Sequence, residues 1–482
     1  MAFLSSAHLT IAPVALPLLS AILTLALPRF GRTLSVLGAL ATLAAAMALV
    51  TQAASGNDAV YLLGNWQAPF GIALLADRLS AWAVLATAWV LFGVLVFIVG
   101  GDQDRAAFTH PLFHVLWMGV NGAFLTADVF NLFVFFEVML VGSYGLALLG
   151  AGPREAAATL RYVAINLAGS ALFLIAAGLL YGVAGSLSFA DLAQRLPALA
   201  PADQPLARAG AGLLAVVFLL KAAALPLSAW LPQTYGRISP VSAAAFTLLT
   251  KLGAYSLLRI TSLWGPALDD GSFSNCVLLA GVGTMLLAGF GALASLSLTQ
   301  VATWGVLGSS GFLLIVFNVG SLQTLAAGLM YLPASAASAS ALYLVADLHA
   351  RGRLGNAKLW LLAAAVCAGG LPPAASFLAK IQALHGLLAS SAFAWVTVAL
   401  LLASLMLVIG FARAGLRAAG AVGGPAHCVE RLALLWLCGG VVALTVFAAP
   451  VQRYALAAAA GLASPNAYVR AVLGARPVGV MP

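Results

Sequence analysis

Apolar runs long enough to cross a lipid bilayer recur along this 482-residue chain, and they leave it one class of fold. A crossing helix needs about 17–25 mainly apolar residues, because the hydrocarbon core is ~30 Å thick and each residue rises ~1.5 Å. Fourteen such spans fall at about 9–27, 33–52, 79–100, 111–127, 129–150, 160–184, 210–225, 239–263, 275–296, 300–318, 321–346, 358–389 with a break, 391–413 and 430–449. Only 7% of the residues are charged against 63% hydrophobic, where soluble domains carry roughly 25% charged. Backbone groups in lipid must be satisfied within the chain, so the spans are helices. The expected fold is an all-α polytopic membrane protein, one membrane domain over 1–482. The apolar tail 450–482, bounded by Arg453 and Arg470, reads as interfacial.

Other classes fall away. The formal charge of +9 is scattered through short loops, with no basic stripe, so no nucleic-acid partner is expected. Cys276, Cys367, Cys428 and Cys438 have no metal-ligand spacing. No metal set, phosphate loop, dinucleotide fingerprint or nucleophile triad is visible, so no cofactor is expected. Arg29 and Arg32 follow the first apolar run instead of preceding it, unlike a signal peptide. Loops after odd-numbered spans hold twelve basic residues, including Arg105, Arg154, Arg351 and Lys358. The opposite side holds seven, including Arg78, Arg208 and Arg259. The positive-inside rule then puts both termini outside the cell.

Lysine is scarce and oddly placed. Of four lysines, Lys221, Lys251 and Lys380 lie within apolar spans, whereas the eighteen arginines sit in loops or near span ends. Glu137 joins them near mid-depth of the fifth span. A charge facing lipid costs about 2.5–3.5 kcal/mol on insertion scales, so these residues should face a protein interior. Desolvation disfavours charge on any of them, and groups poised in this way can pass protons.

The surroundings fit that use. Pro226 interrupts the seventh span five residues after Lys221 and deprives the Ala222 carbonyl of its usual partner. Pro372 and Pro373 interrupt the twelfth, seven to eight residues before Lys380. The two breaks are five spans apart, and an odd offset reverses helix direction. Two inverted five-helix units follow, at 111–263 and 275–413, and paired breaks of this kind point to a transporter's central site. Thr247, Lys251 and Tyr255 share one helix face at i, i+4 and i+8. Tyr144 shares the face of Glu137. Ser335, Ser338 and Ser340 give the eleventh span polar positions, and His349 and His385 read as interfacial.

Several stretches resemble the D subunit of Mrp-type multisubunit Na+/H+ antiporters. The sequence VNGAFLTADVFNLFVFFEVML at 120–140 carries the resemblance most specifically, together with LPP at 371–373 and FLAK at 377–380. WLPQTY at 230–235, PVS at 240–242, LLTKLG at 248–253, GNWQAPFG at 64–71 and DRLS at 77–80 extend it over about residues 60–385. The resemblance implies fourteen helices with broken seventh and twelfth members. It implies that Glu137 and Lys221 form an essential pair, that Lys251 is the next relay group and that Lys380 is the terminal one. It also implies work inside a complex with other Mrp subunits, exchanging Na+ for H+. The chain departs from its relatives at Gln233, Gly236 and Ala375, and where they carry a histidine and often a lysine in the eleventh span it has Ala334 and Ala339.

The expected function is therefore proton translocation within a cation/proton antiporter, by a transporter subunit and not an enzyme, in a bacterial cytoplasmic membrane. Two alternatives stand beside it. One is a pumping subunit of a complex I-like or hydrogenase-type redox complex; the other is a structural subunit with reduced conduction, favoured by Ala334 and Ala339.

Overall fold

The computed structural model describes residues 6–101, 108–268, 271–355, 358–388, 393–420 and 423–477; Arg105 and the side chain of Lys358 lie outside that description. Among the described residues the chain makes fourteen helical passages: Ser6–Ala26, Gly31–Ala54, Arg78–Gly100, Thr109–Leu125, Val129–Leu148, Pro153–Ala184, Gln204–Lys221 continuing after a break as Trp230–Tyr235, Pro240–Ala245 running through a 3-10 turn into Leu249–Leu268, Ser272–Ala294, Leu298–Val319, Leu322–Ala350, Lys358–Gly369 continuing as Ala375–Leu387, Phe393–Ala419 and Cys428–Val446. Twelve are long and apolar enough to cross a membrane. The other two are the 17-residue fourth passage and the broken twelfth.

Local chemistry sets the helix ends. Asp77 caps the third passage by accepting from the Ser80 amide at 2.8 Å, and the Ser80 hydroxyl accepts in return from the Asp77 amide at 3.0 Å. Asp128 caps the fifth through the Asn131 amide at 2.7 Å. Gly320 ends the tenth at φ +69°, a left-handed conformation open to glycine. At the Asp77 end, strands Ala59–Leu62 and Ala73–Ala76 form an antiparallel hairpin. Its edge continues through a Leu74–Thr126 bridge, and Asp128 in turn bridges Ser188. At the opposite end, Arg351 joins Asp347 and the fully buried Glu430, tying the eleventh passage to the fourteenth.

The eleventh passage is the central post. Every residue from 324 to 348 is buried. It packs against the third, eighth, tenth, twelfth and fourteenth passages. Its run of alanines and serines at 334–341 lets those helices approach closely. The first, second, sixth and thirteenth passages expose leucines such as Leu37, Leu160 and Leu401, as helices facing lipid do. After the fourteenth passage, Ala448–Leu462 packs on the third and eleventh, and the Tyr454 hydroxyl donates to the Arg78 carbonyl at 2.9 Å.

The two breaks share one geometry. Ala223 takes φ +55° three residues before Pro226, and Gly370 takes φ +67° three residues before Pro373. Alanine pays about 1–2 kcal/mol for that conformation, which glycine adopts freely. The released groups find partners on other elements. Ser310 of the tenth passage donates to the Ala222 carbonyl. The Thr284 hydroxyl of the ninth accepts from the Leu225 amide at 2.7 Å, and the Trp230 indole donates to the Leu220 carbonyl at 3.0 Å. At the second break Ser376 donates to the Cys367 carbonyl at 3.0 Å and Thr445 to the Pro373 carbonyl at 2.7 Å.

The eighth passage lies directly on the first break at Gly253, where a Cβ would come within 2.5 Å of the Ala222 nitrogen. Overpacking of this kind costs ~1–3 kcal/mol. Gly253→Val is therefore expected to lower the melting temperature of the detergent-solubilised protein, and an unchanged melting curve would contradict the close approach.

Candidate functional site

The four charges expected to face the interior all have polar partners, three on a neighbouring passage and Lys380 across the break in its own. Lys221 is the last residue of the first half of the seventh passage, 5% exposed. Its Nζ donates to Asn166 Oδ1 of the sixth passage at 3.0 Å and stands 5.6 Å from the centre of the Phe136 ring. One helical turn along, Ser170 donates to a Glu137 carboxylate oxygen and to the Asn166 carbonyl. Glu137 and Lys221 are thus bridged by one face of the sixth passage; among the described ion pairs none joins them directly. Tyr144 packs edge-on against Tyr162 at 5.2 Å, Tyr162 stacks on Trp230 at 5.5 Å, and the Tyr144 hydroxyl is buried without a partner.

Lys251 is fully buried and donates to Ser309 Oγ of the tenth passage at 2.7 Å. The stripe expected on the eighth passage is present, with a modification. Thr247 sits in the 3-10 turn Phe246–Leu248 and bonds Ser340 Oγ of the eleventh passage at 2.9 Å. Tyr255 donates to the Phe124 carbonyl of the fourth at 2.6 Å. The three side chains therefore reach three different neighbours.

Lys380 donates to the Gly369 carbonyl, across the break, at 3.1 Å. Gln382 of the same half-helix bonds Gln323 at the start of the eleventh passage at 3.2 Å. So Lys380 follows its break along the chain while Lys221 precedes its own.

Between Lys251 and Lys380 lies a cavity of about 10 Å³, close to the space one water needs. Ser309, Tyr331, Ser335, Ala339, Cys367 and Ser376 line it. It touches both the Ser309 hydroxyl that holds Lys251 and the second break. Ala339 borders it, whereas Ala334 is fully buried away from it. Ser338 turns its hydroxyl onto its own helix, to the Ala334 carbonyl at 2.6 Å.

Sequence reasoning missed Asn166, Ser170, Ser309 and Ser310. An amide and hydroxyls inside apolar spans were the signals available for them. It also missed what Arg259 does, having counted it among the basic residues at span ends. Arg259 is 5% exposed inside the eighth passage and makes a bidentate pair with Asp77 at 2.7 and 2.9 Å.

Comparison with known proteins agrees with this architecture. The family model described as NADH:quinone oxidoreductase/Mrp antiporter, TM, matches residues 126–407, more than half of the chain. The D subunit of a probable K+/H+ antiporter of Rhizobium meliloti (strain 1021) is 36% identical, with 98% of each chain covered. The D subunit of a Na+/H+ antiporter of Alkalihalophilus pseudofirmus is 31% identical over 85% of this chain and 87% of that one. A chain of the Mrp complex from Dietzia sp. DQ12-45-1b superposes with a TM-score of 0.88 at 25% identity, covering 97% of this chain and 99% of that one. A chain of respiratory complex I from Thermus thermophilus shares the fold, with a TM-score of 0.79 at 21% identity over 95% and 99% of the two chains. The chain belongs to the NADH:quinone oxidoreductase/Mrp antiporter family, and within it to the D-type antiporter subunits.

Proposed function

We propose that this chain is the proton-translocating subunit of a multisubunit monovalent cation/proton antiporter, and that protons move along Glu137, Lys221, Lys251 and Lys380. One observation carries the reading. Each of the three lysines inside the bundle, Lys221 and Lys251 buried and Lys380 half-buried, is held by a neutral oxygen: Asn166 Oδ1, Ser309 Oγ or the Gly369 carbonyl. An amine so held can lose or gain a proton without breaking an ion pair, since a neutral amine still donates and can also accept.

Glu137 supplies the control. With its carboxylate on Ser170 and Lys221 on Asn166, the lysine lacks a direct counter-charge. Rotation of either side chain toward the other would supply one, so exchange at Lys221 is gated by whether the pair forms. From Lys251 the route continues through Ser309 into the small cavity, where a water on the hydroxyls of Ser335 and Ser376 stands in for the titratable group absent at Ala334 and Ala339. Thr247 and Tyr144 support this axis, and Pro226, Pro372 and Pro373 open it by breaking the helices; Ser338 and Tyr255 bond away from it.

By this reading the protein sits in the bacterial cytoplasmic membrane with both termini outside, as a secondary transporter subunit beside other Mrp subunits. The relatives that match along most of their length are named as antiporter subunits, for K+ in one case and Na+ in another. They favour antiport over a redox pump, to which the likeness is one of fold.

The test is cation-induced dissipation of a proton gradient in membrane vesicles carrying the whole complex, with Na+ and K+ compared. Glu137→Ala and Lys221→Ala complexes that assemble normally are expected to lose most exchange, and wild-type rates in both would overturn the reading. A hydrogen bond to a charged group is worth ~1.5–3 kcal/mol, so Asn166→Leu is expected to slow exchange by about tenfold or more. Ala339→Val fills the cavity and is expected to depress exchange in complexes that assemble. Silence of both Ala334→His and Lys380→Ala would favour the structural-subunit alternative.

A further inference from the structure

A second polar site lies at the Asp77 end, away from the four axial charges. It is a cavity of about 190 Å³, lined by Asp58, Asp77, Arg78, Arg259, Ser262 and Tyr468 among others. Asp58 is exposed at its rim. Its inner wall is the bidentate Arg259–Asp77 pair. The guanidinium is held on its faces as well, with the rings of Tyr255 and Tyr468 at 5.5 and 5.1 Å. Its Nη2 also donates to the Tyr255 hydroxyl at 3.1 Å.

Tyr255 stands between two cations on one helix face, four residues from Lys251 on one side and four from Arg259 on the other. Its oxygen accepts from Arg259, and its own proton is turned to the Phe124 carbonyl at 2.6 Å. It is therefore not offered to Lys251, which donates to Ser309 instead. From Lys251 to Arg259 is eight residues, about 12 Å of helix. Along this helix face Tyr255 and Arg259 lie between Lys251 and a cavity with an exposed acid at its rim.

We propose that Arg259, pinned by Asp77, is a plug that occupies Tyr255 and keeps the proton on Lys251 from escaping into this cavity, so that it moves laterally through Ser309. Arg259 is a positioning residue, acting on Lys251 through Tyr255, and the inference rests on the relay reading above. Without the plug, Tyr255 would be free to accept a proton from the Lys251 ammonium while passing its own phenolic proton to water in the cavity. Lysine would end as a neutral amine, tyrosine unchanged and the water one proton richer. A fixed arginine that bars ion passage in a narrow pore is a familiar physical device.

The plug holds over the working pH range. Burial alone would raise the Asp77 carboxyl, but the charge and hydrogen bonds of Arg259, with those of Ser80, outweigh it and hold it below the usual carboxylate range. The pair is therefore present at neutral pH and lost only as pH falls through that lowered value. At the rim, burial and the charge of Asp77 raise Asp58 against the opposing effect of Arg78 and Arg259, so Asp58 protonates first. Tyr454 and Tyr468 are the other titratable groups facing this cluster, and Asp128 faces Tyr468 from the fifth passage.

The experiment measures proton conductance without Na+ or K+ in vesicles carrying the whole complex. Asp77→Asn and Arg259→Gln are expected to raise it several-fold, and adding Tyr255→Phe to either is expected to restore the low wild-type value. Tyr255→Phe alone should not leak. Assembled Asp77→Asn and Arg259→Gln complexes that stay tight, or a leak indifferent to Tyr255→Phe, overturn the plug. If Arg259→Gln fails to assemble, Asp77→Asn, which keeps an oxygen for the Ser80 cap, decides alone. Lys221→Ala in the same vesicles separates the two claims. If it abolishes exchange while the plug variants stay tight, only the plug fails; if it exchanges at the wild-type rate, the relay reading fails.

Discussion

An ammonium inside an apolar bundle must find oxygen, and much of this structure follows from that need. Unbroken helical backbone offers little of it, because each carbonyl is already paired once and is screened by its own side chains. The chain supplies oxygen by interrupting helices and by placing single hydroxyls and amides on facing ones. The second break offers the Gly369 carbonyl to Lys380, and the sixth and tenth passages offer Asn166 and Ser309 to Lys221 and Lys251. Each interruption leaves other backbone groups orphaned, and those draw in Ser310, Thr284, Trp230 and Thr445 from neighbouring elements. The polar interior is thus a connected consequence of three amines placed inside the bundle. It fixes which helices must touch, and the small residues of the eleventh passage allow them to.

Much of this was legible in the sequence because it depends on residue type and spacing along one chain. Apolar runs set the fourteen passages; prolines set both breaks; lysines inside apolar spans marked the interior. What stayed hidden depends on how helices rotate against one another. A direct Glu137–Lys221 pair was the natural expectation, yet the face of the sixth passage carrying Asn166 and Ser170 comes between them. Nothing in the spacing of Glu137 and Lys221 reports that third helix. Ser338 was expected on the axis, but a serine in a helix can satisfy itself on the carbonyl four residues back, and it does. Arg259 was misjudged for a related reason. A basic residue near a span end counts as a loop charge unless its partner is known, and Asp77 is 182 residues away.

The eleventh passage has a different character. At the middle of the bundle it carries alanine at 334 and 339, with no titratable side chain between them. Its described packing leaves a water-sized space between hydroxyls. Such surroundings store no proton and can only pass one on. A water there would meet hydroxyls that already donate, Ser335 to its own helix and Ser376 across the break to Cys367, and that have lone pairs to spare.

The breaks of the seventh and twelfth passages have a further consequence. They belong to helices that run in opposite directions, so a faithfully repeated chain would put its two lysines on opposite sides of the midplane. Lys221 instead precedes its break and Lys380 follows its own. Two reversals cancel, and both amines lie toward the end that carries Asp77. Two such units by themselves have the parity of an object that looks alike from above and below, and such an object has no preferred direction. The placement of two side chains removes that parity within the pair.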